Sequence, residues 1–192
     1  PVSGDDSGKS IAVDSSGKVY VTGTRTQTDS GQDLTPIKYN SSGGGVWPRL
    51  KSSAGANSDR AAAIGLDSSG HVLVSGTVGG ESVTIQYDSA GNEQWASAHE
   101  GSGYGADFCS DMVVSPSGNV YVVGDGPDET YRDDFITIKY DSSGTEQWAS
   151  RYDGPVGRGD FAIAVTIDAD ENVYVAGYGE TAATGGSLRQ MV

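Results

Sequence analysis

The chain has one cysteine, two histidines and two methionines among its 192 residues, and 12 basic side chains against 26 acidic ones. Each scarcity excludes something. A single cysteine rules out an intramolecular disulfide framework, and two histidines cannot make a three-ligand zinc site without carboxylates. A formal charge of −14 without a basic stripe repels a phosphate backbone, which excludes nucleic acid as a partner. No apolar run approaches the ~20 residues that span a bilayer, and no charged, then apolar, then small-residue leader precedes Pro1, so neither a membrane span nor a signal peptide is expected in this stretch. No Gly-x-Ser-x-Gly nucleophile motif is present either.

What is abundant is glycine, at 29 residues, and tyrosine, at 10 of the 16 aromatic residues, a composition that suits many short strands joined by tight turns. These residues recur in a unit of about fifty positions. IAVDSSGKVYVTG (Ile11 to Gly23), IGLDSSGHVLVSG (Ile64 to Gly76), MVVSPSGNVYVVG (Met112 to Gly124) and VTIDADENVYVAG (Val165 to Gly177) are one phrase. PIKYNSSGGGVW, TIQYDSAGNEQW and TIKYDSSGTEQW, ending at Trp47, Trp95 and Trp148, are a second. Such self-similarity predicts stacked supersecondary units, none able to bury its apolar surface alone.

Within the first phrase, strand A ends at Val13, Leu66, Val114 or Ile167, and a turn leads into strand B. The turn glycines Gly17, Gly70 and Gly118 suit the left-handed conformation; the fourth copy has Glu171 there, and Asn172 is expected to take the positive φ instead. Strand B is apolar on both faces, with Val19, Val72, Val120 and Val173 on one and Tyr20, Leu73, Tyr121 and Tyr174 on the other, which predicts sheets on both sides. Strand C reads as half-buried, with Lys38, Gln86 and Lys139 facing outward. Strand D follows a second Gly-containing turn and carries the Trp, which is expected to anchor against the next unit.

Four antiparallel strands per unit describe a blade. The expected fold is therefore all-β: a β-propeller of four-stranded antiparallel blades, about three and a half of them here, in one repeat region over 1–192 (1–53, 54–101, 102–154 and a partial 155–192). A β-sandwich would give no reason for a whole four-strand unit to recur. The phrases IAVDSSGKVYVTG and ITIKYDSSGTEQWASRYDGP resemble the SBBP β-propeller repeats of secreted and surface proteins of bacteria and some archaea. That resemblance, covering nearly the whole chain, implies the fold and an extracellular or cell-surface setting. It implies no reaction, because the family has no common catalytic residues.

Counting by the repeat, Pro1 falls in the connection before a strand A and Val192 inside a strand C, whereas closed propellers typically have four to eight blades. The expected partners are further propeller repeats, supplied by chains of the same type in an oligomer or filament or by other parts of a longer polypeptide.

Candidate sites fall on the face that carries the B–C and D–A connections. Asp6, Asp59, Asp107 and Asp160 stand at one repeat position and would form a ring near the mouth of the channel, where carboxylates could hold calcium; the competing role is to cap each D–A turn by accepting backbone N–H groups. The third B–C connection, Asp125 to Asp134, is the most acidic, and Asp125, Asp128, Glu129, Tyr131, Arg132, Asp133 and Asp134 could meet a cation, a glycan or a surface protein, or simply be solvated. Asp168 to Asn172 opens like a calcium loop but has Val173 at the required glycine, and Arg158-Gly159-Asp160 spells an adhesion tripeptide whose Asp the repeat already explains. Cys109 falls where the other copies have Gly8, Ala61 and Ala162, so a small packed residue is expected rather than a reactive thiol.

The functional reading is a non-catalytic module with a structural, adhesive or self-assembling role and no cofactor except calcium. The alternative is a propeller enzyme acting on polysaccharide, a glycosidase or lyase, or a carbohydrate-binding module, using acids such as Asp128, Asp133 and Asp134.

Overall fold

The computed structural model describes residues 6–27, 31–53, 59–99, 101, 107–130, 132–154, 159–180 and 189–191. It is all-β. The first sheet comprises β1 (Ser7–Val13), β2 (Val19–Gln27), β3 (Gly31–Tyr39) and β4 (Gly45–Pro48). The second comprises β5 (Arg60–Leu66), β6 (Val72–Val78), β7 (Glu81–Tyr87) and β8 (Glu93–His99). The third comprises β9 (Phe108–Val114), β10 (Val120–Pro127), β11 (Asp133–Tyr140) and β12 (Glu146–Tyr152). In the fourth, β13 (Asp160–Ile167), β14 (Val173–Glu180) and β15 (Arg189–Met191) pair in chain order. Every sheet is an antiparallel meander, and the register repeats, with Ile11, Ile64, Met112 and Val165 opposite Val21, Val74, Val122 and Val175. Among the described residues no helix is long and apolar enough to cross a membrane.

Period-two alternation decides how the sheets stack. Val72 and Val74 of β6 pack in the core shared with Tyr20 and Trp47 of the first sheet, while Leu73 points to the third sheet and packs with Val120 and Val122. Tyr121 in turn packs with Val165 of the fourth sheet. The first strands β1, β5, β9 and β13 touch in succession along one edge. Strand B is thus covered on both faces wherever a sheet lies on each side, as its residues predict.

The tryptophans join neighbouring sheets. Trp47 Nε1 donates to the Ser89 carbonyl at 3.3 Å, and Trp95 Nε1 to the Ser142 carbonyl at 3.2 Å, each in the second turn of the following sheet. The same turns cover strand C, which is buried rather than half-buried in β7 and most of β11. Lys38 is buried as well, and its ammonium donates to the Ser89 carbonyl at 2.6 Å while lying 5.1 Å from the Tyr20 ring centroid.

The fourth hairpin departs from expectation. Glu171, not Asn172, adopts the positive φ, at 61°. Its carboxylate accepts from the Ser117 hydroxyl (2.5 Å), the Tyr121 hydroxyl (2.6 Å) and Asn119 Nδ2 (2.9 Å), all on the third sheet. These bonds offset a left-handed conformation that disfavours Glu by about 1 kcal/mol. The Ser117 hydroxyl, then Tyr121 and Asn119, hold its pKa down to about 2. Glu171→Ala, which keeps the strain and loses the bonds, should therefore destabilise the fold by about 1–2 kcal/mol at pH 7. Because the folded pKa lies below the unfolded one, this difference should persist above pH ~4.5 and fade as pH falls toward 2. Glu171→Gly, which relaxes the backbone, should cost less than Glu171→Ala in the same urea titrations.

Candidate functional site

Asp6, Asp59, Asp107 and Asp160 each stand just before or at the first residue of a strand A, and three of them are fully buried. Asp59 shows what the position does. Its carboxylate accepts from Ser53 N (2.7 Å), Ser53 Oγ (2.9 Å) and Gly79 N (2.9 Å), joining the end of one sheet to the B–C turn of the next. Asp160 accepts from Gly154 N at 2.6 Å and Asp6 from Thr26 N at 3.1 Å. Asp107 hydrogen-bonds the Gly101 backbone, and its side chain fills the space a Cβ would need on Gly101 or Gly126. In each repeat the carboxylate accepts from a backbone N–H, as a cap does, and Asp59 ties two connections together.

The predicted acidic loop is mostly strand. Asp125, Gly126 and Pro127 pair with Phe135, Asp134 and Asp133, so the ladder runs nearly to the tip. The remaining turn is organised by Asp128, whose carboxylate accepts from Thr130 N, Thr130 Oγ1 and Arg132 N at 2.6, 2.7 and 3.2 Å. Those bonds, the Thr130 hydroxyl foremost, lower its pKa. Glu129 and Arg132 are exposed, and Tyr131 lies outside the described residues. Asp125 and Asp134 are buried and Asp133 half-buried, because extended pairing carries them in beneath the neighbouring connections.

Burial, then Asp133 and Asp107, pushes Asp125 up to about 7; burial, then Asp128 and Asp153, pushes Asp134 up to about 6. Arg151 is the counter-charge, 3.8 Å from Asp107 and 4.0 Å from Asp134, and it donates to the Gly126 carbonyl at 2.8 Å. Carboxylate oxygens of Asp134, Asp153 and Asp160 lie within 4.8 Å of one another, the spacing of metal ligands. The structure thus brings one ring position and one loop position to a single cluster. The tripeptide's Arg158 lies outside the described residues, and its Asp160 is used on Gly154. His71 Nδ1 pairs with Asp67 at 2.8 Å and His99 Nδ1 with Glu146 at 3.0 Å.

A feature the sequence reading missed lies beside these carboxylates. Each strand A carries a β-bulge at one repeat position: the register skips between Gly8 and Ser10, Ala61 and Ala63, Cys109 and Asp111, and Ala162 and Ala164. The extra residues are Lys9, Ala62, Ser110 and Ile163. Just before the bulge, small Gly8, Ala61, Cys109 and Ala162 sit opposite Gly23, Gly76, Gly124 and Gly177, which explains the small residue shared by the four copies. Burial pushes the Cys109 thiol up to about 12, which disfavours the thiolate.

Around the bulges opens a cavity of about 410 Å³ lined by first strands from all four sheets: Lys9, Arg60, Phe108, Ser110 and Ile163, with Asp125 beneath. The signal in the sequence was disagreement among otherwise matching copies, with Ser7, Arg60, Phe108 and Phe161 at one position and Lys9, Ala62, Ser110 and Ile163 at another.

No protein-family model matches this sequence, and no curated protein matches it. Among solved structures, the chain is similar over its whole length to a protein of unknown function from Bacteroides caccae, at 11% identity and a TM-score of 0.58. It spans 62% of that protein's length. A second similar structure, the catalytic domain of the Coprinopsis cinerea GH62 α-L-arabinofuranosidase, has 12% identity and a TM-score of 0.46, with 98% of this chain and 70% of that one covered.

Proposed function

We propose that the chain is a non-catalytic β-propeller segment of a secreted or cell-surface protein, a scaffold whose partners are further repeats of its own kind. One observation carries this reading: the two end faces expose the residues that internal sheets bury. Ile64 is 8% exposed where the first sheet has Ile11 at 65%, and Tyr121 is 1% exposed where the fourth has Tyr174 at 56%. Val72, Val74, Ile85 and Tyr87 are buried, whereas Val19, Val21, Ile37 and Tyr39 are only half so, and the last three border a hollow of about 300 Å³.

An apolar face of this kind is costly to leave in water, and the chain itself shows what covers it, namely the opposite face of another unit. The resemblance of the repeated phrases to SBBP repeats supports the secreted or surface setting. Light scattering after size exclusion tests the reading. Discrete self-association is expected, weakened by Ile11→Glu or Tyr174→Glu, and run with calcium and with chelator to register any help from the carboxylates. Association indifferent to both substitutions would overturn it, whereas a monomer at all concentrations would assign the further repeats to a longer polypeptide.

A further inference from the structure

We propose that the cavity framed by the four bulges binds an acidic saccharide, a sugar ring bearing a carboxylate. The inference concerns the cavity and is independent of the end faces.

Bulges re-aim side chains, and here four of them occur at one level of one edge of the fold. In a repeat protein, positions constrained by packing keep matching residues, as the small residue before each bulge does. The bulge positions do not match. They have diverged into a cation, a methyl group, a hydroxyl and an aliphatic chain, and the position two residues earlier into a hydroxyl, a cation and two aromatic rings. Of these, Lys9, Ser110, Ile163, Arg60 and Phe108 line the cavity. Unlike groups on like scaffolds make an asymmetric cavity, which an asymmetric small molecule requires.

The chemistry is specific. Lys9 and Arg60 are exposed, and no described carboxylate lies in ion-pair range of either. In a chain of net charge −14, two cations that line one cavity and have no ion-pair partner among the described residues are an unusual place for an anion to be welcome. Guanidinium and ammonium groups recognise a carboxylate by charge-assisted hydrogen bonds. Phe108, 41% exposed, and Ile163, 57% exposed, offer an apolar surface against which the C–H face of a sugar ring can lie. Ser110 and Asp125 supply polar atoms for hydroxyl groups. Thr77, also on the lining, is already committed, its hydroxyl oxygen accepting from Cys109 N at 3.1 Å. A neutral sugar would leave the cations without a role, and a phosphate or sulfate would leave the apolar wall without one.

Isothermal titration calorimetry with D-glucuronate, with tri-galacturonate and with D-glucose tests the assignment. Both uronates should bind and glucose should not. Lys9→Ala and Arg60→Ala should each weaken uronate binding about tenfold, and Phe108→Ala should weaken it as well. Because Lys9 and Arg60 are exposed and form no ion pair among the described residues, their replacement should leave the thermal melt unchanged, which separates lost binding from lost fold. Tighter binding of the trisaccharide would identify a polymer as the source of the sugar, and equal binding a single ring. Absence of binding by both uronates at millimolar concentration, glucose binding as tightly as glucuronate, or affinities unchanged in both cation variants would overturn the proposal.

Discussion

Asp125→Asn should make the protein more stable at pH 8, by on the order of 2–4 kcal/mol, and change little at pH 4. Asp125 is 9% exposed, and burial, with Asp133 and Asp107 nearby, raises its pKa from 3.8 to about 7. Between those values the folded chain holds a proton that the unfolded chain has released, so stability falls as pH rises from about 4 to about 7 and stays reduced above it. Asparagine has the shape of the protonated acid and no charge to bury, so it removes that loss. The measurement is the difference in unfolding free energy between variant and parent, from urea titrations at pH 4 and pH 8. A difference that does not change with pH would mean that Asp125 is ionised at no cost. Asp134, raised to about 6 on the same face, works in the same direction over a slightly lower window, so the variant should retain part of the parent's pH dependence.

Gly124→Ala should destabilise the fold by about 3 kcal/mol or more, while Gly45→Ala should be nearly neutral. A Cβ on Gly124 would overlap the Phe108 carbonyl oxygen and crowd the Cα of Cys109, both backbone atoms of the bulged strand that cannot swing aside as a flexible side chain would. Gly45 lies in β4 with nothing within 4 Å of the corresponding position. Gly23, Gly76 and Gly177 meet the carbonyl oxygens of Ser7, Arg60 and Phe161 in the same way, so the effect belongs to the bulge and not to one sheet. Thermal and urea melts of the two variants decide it. Near-equal stability would mean that the bulge is soft and that its side chains are not held in place. Because Lys9, Ser110 and Ile163, the extra residues of three of the bulges, line the cavity, a soft bulge would also weaken the case for a built binding site.

Much of this architecture is local and could be read from residue order. The alternation Val-Tyr-Val in strand B specifies two buried faces, and the Asp-x-x-Gly turns specify hairpins, because both depend on the chain's own period and on φ preferences that neighbours in sequence impose. Strand ends at Val13, Leu66, Val114 and Ile167 fall where the turns place them. The repeated Asp was legible as a cap because a residue kept in every copy serves something every copy needs.

Tertiary structure decided the rest. Lys38 reads as an outward-facing charge until the next sheet's turn presents the Ser89 carbonyl to it. Glu171 looks misplaced in a turn until the third sheet surrounds its carboxylate with donors, an arrangement spanning about fifty residues that no local preference can encode. Asp125, Asp133 and Asp134 look like a solvated loop by composition, yet ladder pairing extends through them. The cavity depended on tertiary structure most of all. Lys9, Arg60, Phe108 and Ile163 stand in four different repeats and share no motif. Sequence alone determined that this chain would build like sheets stacked face to face; only the bulges and the stacking brought their unlike residues together, because cavities form between units and the repeat describes one unit at a time.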